Sequence, residues 1–127
     1  MTVEVILNAA VGVLENRGRC FNDYTYADQV CVLGALAVAA GFDPDCWMGL
    51  QELAGEDRTG AEQTLIDAAQ RLASVVAPRW ADSRVEDLCV ALGDWHDGER
   101  HVGDVRPTDS QVRDALLQAA TRVEAAA

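Results

Sequence analysis

Three helix-initiation motifs follow one another from residue 59 onward, and they constrain the fold more than any other feature of the sequence. Each has the capping-box form Ser/Thr-x-x-Glu/Gln, in which a hydroxyl accepts from the third helical N–H while the Glu or Gln bonds back to the cap. They are TGAE at 59–62, SRVE at 83–86 and TDSQ at 108–111. Apolar residues follow each box at helical spacing, so we predict helices over about 59–76, 83–92 and 108–124.

The most apolar stretch of the chain is predicted to be its central helix. Residues 31–41 read CVLGALAVAAG. Asp28 can cap a helix over 29–40, and Gly41 can close it with a left-handed backbone. A helix that is apolar on all faces is expected to be buried. Gly34 costs roughly 1 kcal/mol relative to Ala in mid-helix, so we expect close approach of another element there.

Two further helices complete the predicted fold. Thr2 can cap one that ends near residue 17, and Asp43-Pro44 can open a short one over about 44–53. A chain of 127 residues fits one domain. The sequence therefore predicts a single all-α domain over 1–127, a compact bundle of five or six helices.

The net negative charge of the chain argues against direct nucleic-acid binding. All ten basic residues are arginine, and the formal net charge is −11 at pH 7. That sign opposes direct nucleic-acid binding, which needs cations to displace counterions from phosphates, and it disfavours anionic membranes. It suits a protein partner with a basic surface. The especially acidic residues 43–67 are one candidate contact region, and their carboxylates can alternatively mimic the charge of DNA.

Nothing in the sequence resembles a leader or a membrane span. Glu4 interrupts the first apolar run, and no stretch of about 18 apolar residues exists. We therefore expect a cytoplasmic protein with four free thiols. The cysteine spacing matches no zinc template, and we predict no metal, no cofactor and no catalytic residue.

Cys31 and Cys20 are the residues on which an enzymatic alternative depends. A cysteine at a helix N-terminus can have a lowered pKa, and His96 with Asp97 could complete a nucleophilic or metal-binding site. The uniformly apolar neighbours of Cys31 favour a core cysteine instead.

The polar segments hold the candidate interaction residues. Residues 19–28 are predicted as an irregular loop and 93–107 as a long loop with a possible short hairpin, and long loops are often functional. Trp47 is predicted in the core. The candidate contact residues are Tyr24, Tyr26, Trp95, His96, Asp97 and His101, with both histidines read as exposed loop residues.

Several short motifs stand in a characteristic order along nearly the whole chain. They are CVLGAL at 31–36, WHDG at 95–98, Thr108 and an apolar helix at 112–117. This order resembles a family of small uncharacterised proteins encoded by actinobacteria and their bacteriophages, with the pattern C-x-x-GAL, W-N-D and T-x-x-E-V. His96 stands where that pattern has Asn, Gln111 where it has Glu, and the spacer after Asp97 is longer.

The resemblance implies an actinobacterial or phage origin and no known activity. An Asp beside a Trp is expected to hold a loop through backbone N–H groups while the ring covers the core. The leading hypothesis is a small accessory protein, not an enzyme, that binds and modulates a host protein.

Overall fold

The computed structural model describes residues 1–98 and 105–125. Within these ranges the chain forms six α-helices, which are α1 (Val3–Arg17), α2 (Val32–Ala39), α3 (Trp47–Leu50), α4 (Gly60–Val76), α5 (Val85–Asp97) and α6 (Asp109–Ala125). Between α1 and α2 lies a small antiparallel hairpin of β1 (Thr25–Tyr26) and β2 (Gln29–Val30). Short 3₁₀ turns occupy residues 55–57 and 78–80. The all-α prediction is confirmed.

The core lies between five of the helices. Helix α1 packs against α2, α4 and α6, while α5 packs against α2 and α4. Most of the large buried side chains are aliphatic, and they come from every one of these helices. Trp47 from α3 is also fully buried, and its indole Nε1–H donates to the carbonyl of Leu33 at 2.8 Å. The predicted core position of Trp47 is therefore confirmed.

Two of the three predicted capping boxes are present. Thr59 Oγ1 accepts from the Glu62 N–H at 3.1 Å, and Glu62 Oε1 accepts from the Thr59 N–H at 2.8 Å. Thr108 and Gln111 make the same pair of bonds. The prediction of a capping box at 83–86 is wrong. Its serine N–H bonds to Trp80 in the preceding turn, and α5 starts at Val85 without a side-chain cap.

The central helix is buried as predicted, but it starts later than predicted. Gln29 and Val30 belong to β2, and the cap is Cys31 rather than Asp28, because the strand bonds extend up to that cysteine. The Val30 N–H donates to Gly18 O at 3.1 Å, and the Cys31 N–H donates to Tyr24 O at 3.2 Å. The predicted helix over 44–53 is likewise reduced to the four residues of α3, with turns on either side.

Glycine is required at position 34 because another backbone segment crosses α2 there. A Cβ at Gly34 would overlap the carbonyl oxygen of Tyr24 and would stand 3.2 Å from the Val30 side chain. The segment before the hairpin therefore passes directly over α2, as the mid-helix glycine led us to expect. This crossing places Tyr24 beside α2 and close to α5.

Helix α5 is longer than predicted. It continues to Asp97 and ends at Gly98, which has φ +79 and ψ +35 in the left-handed region. The prediction of a loop from 93 is thus wrong for Trp95, His96 and Asp97, which are helical. The rest of that predicted loop, with its possible short hairpin, includes residues 99–104, which lie outside the described residues. No helix of the described ranges is both long enough and apolar enough to cross a membrane.

Candidate functional site

His96 joins the end of α5 to the segment after α1. Its side chain is fully buried, so the prediction of an exposed histidine is wrong. Its Nε2 lies 3.1 Å from the carbonyl oxygen of Cys20, and its ring stacks on Phe21 with centroids 5.3 Å apart. Burial, reinforced by the nearby Arg19, lowers the pKa of His96 to about 4. The neutral imidazole therefore donates from Nε2 to Cys20 O at pH 7.

Asp97 holds the same segment from the neighbouring position. Its Oδ2 accepts from the backbone N–H of Asn22 at 3.2 Å, where the chain has a positive φ of 62°. Trp95, two residues before Asp97 on the same helix, is partly buried and packs against the core. This is the arrangement that the resemblance implied for an Asp beside a Trp.

Two arginines complete this region, and neither was singled out from the sequence. The Arg19 side chain is only 7% exposed, and it donates to Pro107 O at 2.8 Å, to His96 O at 3.2 Å and to Asp109 Oδ1 at 3.0 Å. The guanidinium of Arg106 lies 3.6 Å from the Phe21 ring centroid. No local pattern could have identified these contacts, because they join segments far apart in the chain.

Gly98 permits the close approach of Arg106. A Cβ at Gly98 would stand 2.6 Å from the Arg106 backbone nitrogen. Arg106 Nε also donates to the carbonyl of Asp97 at 3.2 Å. The end of α5 and the start of α6 are thereby held against the segment that follows α1.

The thiols lie close to this region but are poorly suited to nucleophilic chemistry. Cys31 is 5% exposed, and burial raises the pKa of its thiol to about 12. Its Sγ accepts from the Gly34 N–H at 3.4 Å. Burial also raises the pKa of Cys20, whose Sγ donates to Asp23 O at 3.4 Å. The bond that His96 makes to Cys20 is to the backbone carbonyl.

A third thiol forms part of a small polar cluster. Burial raises the pKa of Cys89 to about 11, and the nearby side chains of Gln51 and Tyr24 partly offset that rise. The Gln51 amide donates to Tyr24 Oη at 3.2 Å, and burial raises the pKa of that hydroxyl to about 12. All these groups are protonated at neutral pH. The described part of the chain contains no group of three or more His, Cys, Asp or Glu side chains arranged to hold a metal ion.

Between residues 22–24, α3 and α5 lies a cleft of about 400 Å³, which we name the acidic cleft. It is lined by Asn22, Asp23, Tyr24, Cys31, Leu33, Met48, Cys89, Val90, Gly93, Asp94 and Asp97. Among the described residues, its charged lining residues are all carboxylates. Two of its apolar residues are open to solvent, Met48 at 65% exposure and Val90 at 53%.

The predicted contact residues lie in different places. Tyr24 and Asp97 line the acidic cleft, His96 is fully buried, and Trp95 is partly buried and borders a different depression. Tyr26 is 70% exposed on the hairpin and is not among the residues that line the cleft. His101 lies outside the described residues. Sequence reasoning did not single out Met48 and Val90, because an isolated apolar residue on a helix gives no sign of its exposure.

Comparison with known proteins places the chain in one family of unknown function. No curated protein and no solved structure matches the chain. A family profile described as a family of unknown function, DUF6197, matches residues 1–122. The match covers both the central helix and the helical Trp-His-Asp segment. The chain belongs to the DUF6197 family of unknown function.

Proposed function

We propose that this chain is a non-catalytic protein-binding domain and that the acidic cleft is its contact surface. The observation that carries the proposal is the pairing of Met48 and Val90, both more than half exposed, in a cleft with a carboxylate rim. An exposed apolar centre with a polar surround is the usual composition of a protein interface. The cleft volume of about 400 Å³ leaves room for side chains of a partner.

The pKa values and the burial of the cysteine and histidine side chains in this region support binding over catalysis. A nucleophilic cysteine needs a lowered pKa, and burial raises the pKa of both Cys31 and Cys20. A general base needs a pKa near neutrality and access to substrate, whereas His96 has a pKa of about 4 and no exposed surface. Their hydrogen bonds instead fix the backbone segments that form the cleft wall.

The proposed partner is a host protein, and the proposed setting is an actinobacterium or a phage that infects one. The setting is supported by the composition, in which all ten basic residues are arginine. In this setting the chain modulates its partner by occupying a surface of it.

A single substitution on the exposed face of α5 tests the proposal. Val90→Arg places a long cationic side chain in the acidic cleft, and Val5→Arg makes the same change on α1 at a similar exposure of 49%. Tagged wild type and both variants are used to capture proteins from an actinobacterial lysate, with circular dichroism to verify folding. We expect a stoichiometric partner that wild type and Val5→Arg retain and that Val90→Arg loses.

Retention of the partner by Val90→Arg, or equal loss by both variants, would contradict the proposal. A photo-crosslinking residue at Met48 gives a second measurement that does not depend on affinity. Crosslinks from Met48 to the captured protein are expected, and their absence in an otherwise intact complex would place the interface elsewhere.

A further inference from the structure

We propose that a depression away from the acidic cleft binds a small phosphate ester whose organic part carries hydroxyl groups. The depression has a volume of about 700 Å³ and lies between the start of α1, α4 and the end of α6, and we name it the arginine pocket. It is lined by Val3, Asp67, Gln70, Arg71, Ser74, Ala81, Asp82 and Arg122. This site is separate from the proposed function, because the two depressions share no described lining residue.

The guanidinium of Arg71 is the group on which the proposal rests. Its Nη1 is buried and has no hydrogen-bond partner among the described residues. Arg19 and Arg113, in contrast, each form an ion pair with a carboxylate. A guanidinium stays charged at any pH that a protein meets, and a buried charged donor without an acceptor is costly. Since Arg71 also lines the pocket, an oxyanion bound there can supply the acceptor.

The carboxylate best placed to neutralise Arg71 is bonded elsewhere. Asp67 lies four residues earlier on α4, at a spacing that favours an ion pair between the two side chains. Its Oδ1 instead accepts from Nε2 of Gln63 at 2.9 Å, and Oε1 of Gln63 accepts from Arg58 at 3.3 Å. None of the ion pairs among the described residues joins Asp67 to Arg71. Arg71 is therefore available to a ligand.

Arg122 brings another guanidinium to the same pocket. Its Nη1 donates to the carbonyl oxygen of Ser74 at 2.7 Å. That carbonyl is available because its helical partner would be residue 78, a proline, which has no N–H. The bond holds Arg122 against α4 close to Arg71 in the chain and uses only part of its donors. Guanidinium groups bind the oxygens of a phosphate through paired hydrogen bonds, so two of them suit this ligand.

Asp82 and Gln70 define the rest of the ligand. Asp82 is exposed and lines the pocket together with the partly buried Gln70. A carboxylate repels a bare anion, whereas it accepts a hydrogen bond from a hydroxyl group, and the Gln carbonyl accepts in the same way. A phosphate at the two arginines with hydroxyl groups directed towards Asp82 therefore satisfies both sides of the pocket.

The net charge of −11 is compatible with such a ligand. At physiological ionic strength, charges more than about 8 Å apart are largely screened, so the side chains that line the pocket dominate. A phosphate monoester carries a charge of about −1.5 to −2 at pH 7, which two guanidinium groups match. Because Asp67 is held by Gln63, the carboxylate left to oppose the phosphate is that of Asp82, at the position proposed for the hydroxyl groups.

Titration of the full chain with small probes tests the proposal. The probes are glycerol phosphate, inorganic phosphate and glycerol, each added at constant ionic strength and followed by heteronuclear NMR of labelled protein. We expect saturable shifts with glycerol phosphate that are largest at Gln70, Arg71 and Ser74, weaker binding of inorganic phosphate, and no binding of glycerol. Equal affinities for the two phosphates, or shifts that do not saturate, would overturn the proposal.

A matched pair of arginine variants distinguishes the pocket from general electrostatic attraction. Arg71→Gln removes a positive charge from the pocket, and Arg17→Gln makes the same change at an exposed position that does not line it. We expect Arg71→Gln to weaken binding of glycerol phosphate by at least about tenfold and Arg17→Gln by less than about twofold. Circular dichroism verifies folding, and Arg122→Gln, at an exposed position, is expected to give a loss similar to that of Arg71→Gln. Equal weakening by Arg71→Gln and Arg17→Gln would overturn the proposal.

Asp82→Ala tests the part of the pocket assigned to the hydroxyl groups. The substitution removes both the acceptor for a hydroxyl and the repulsion of an anion. We therefore expect it to strengthen binding of inorganic phosphate and to weaken binding of glycerol phosphate, so that the preference between the two probes is lost. A parallel change in both affinities would contradict the role given to Asp82.

Discussion

His96 gives the fold a specific dependence on pH. The pKa of His96 is about 4 in the folded chain, against an ordinary value of 6.5, because the ring is buried and lies near Arg19 and Arg106. Protonation would place a second N–H at Nδ1, which has no hydrogen-bond partner among the described residues. The unfolded chain, in contrast, accepts that proton freely below pH 6.5.

The sign and size of the effect follow from this difference in pKa. Above about pH 6.5 both states carry a neutral His96, and its contribution to stability is fully present. As the pH falls toward 4 the unfolded state gains the proton, and stability drops by at most about 1.4 kcal/mol per pH unit. We expect a loss of roughly 3 kcal/mol in total, which levels off below about pH 4.

Urea unfolding of wild type and His96→Asn between pH 7.5 and about 4.5 measures this contribution. Asparagine is the residue that the resembling family pattern has at this position, and it does not titrate. The difference in unfolding free energy between the two proteins removes the contributions of His101 and of the carboxyl groups. A difference that stays constant over this pH range would refute the assignment of a buried, neutral His96.

Two further predictions concern the backbone crossing and the core thiol. Gly34→Ala should lower the free energy of unfolding by about 2 kcal/mol, since its Cβ overlaps Tyr24 O, whereas the uncrowded Gly12→Ala should raise it by up to about 1 kcal/mol. Thermal unfolding measures both, and a neutral Gly34→Ala would mean that the crossing is loose. Cys31, with a pKa of about 12, should react with a thiol reagent at pH 8 only as fast as the protein unfolds. Mass spectrometry of the labelled peptides checks this, and rapid labelling of Cys31 in folded protein would contradict its burial.

Local sequence rules predicted the helices well where the capping and periodic signals agree. The ends of α1 and α4 and the boxes at Thr59 and Thr108 follow from short-range hydrogen bonding, which the sequence specifies directly. The start of α2 was missed because strand-like bonds to Gly18 and Tyr24 draw residues 29–31 away from the helix. Such tertiary bonds override local propensity and leave no local pattern.

The candidate site was predictable in its residues but not in its geometry. Tyr24 and Asp97 were singled out from the sequence, and both line the acidic cleft. The helix was predicted to end near residue 92, whereas α5 continues to Asp97 and ends at Gly98, which has the positive φ. These five additional helical residues place His96 in the core rather than in a loop. Met48 and Val90 become notable only when exposure is known, because isolated apolar residues are common on any surface.

The position of Arg19 imposes an order on the assembly of the chain. Its buried guanidinium takes one acceptor from α5 and two from residues 107 and 109, near the opposite end of the sequence. A nascent chain that has emerged only through α5 can satisfy one of these three bonds, and a buried cation short of acceptors is strongly unfavourable. The segment after α1 therefore cannot settle until the beginning of α6 has left the ribosome. The wall of the acidic cleft, which depends on that segment, is among the last parts of the protein to form.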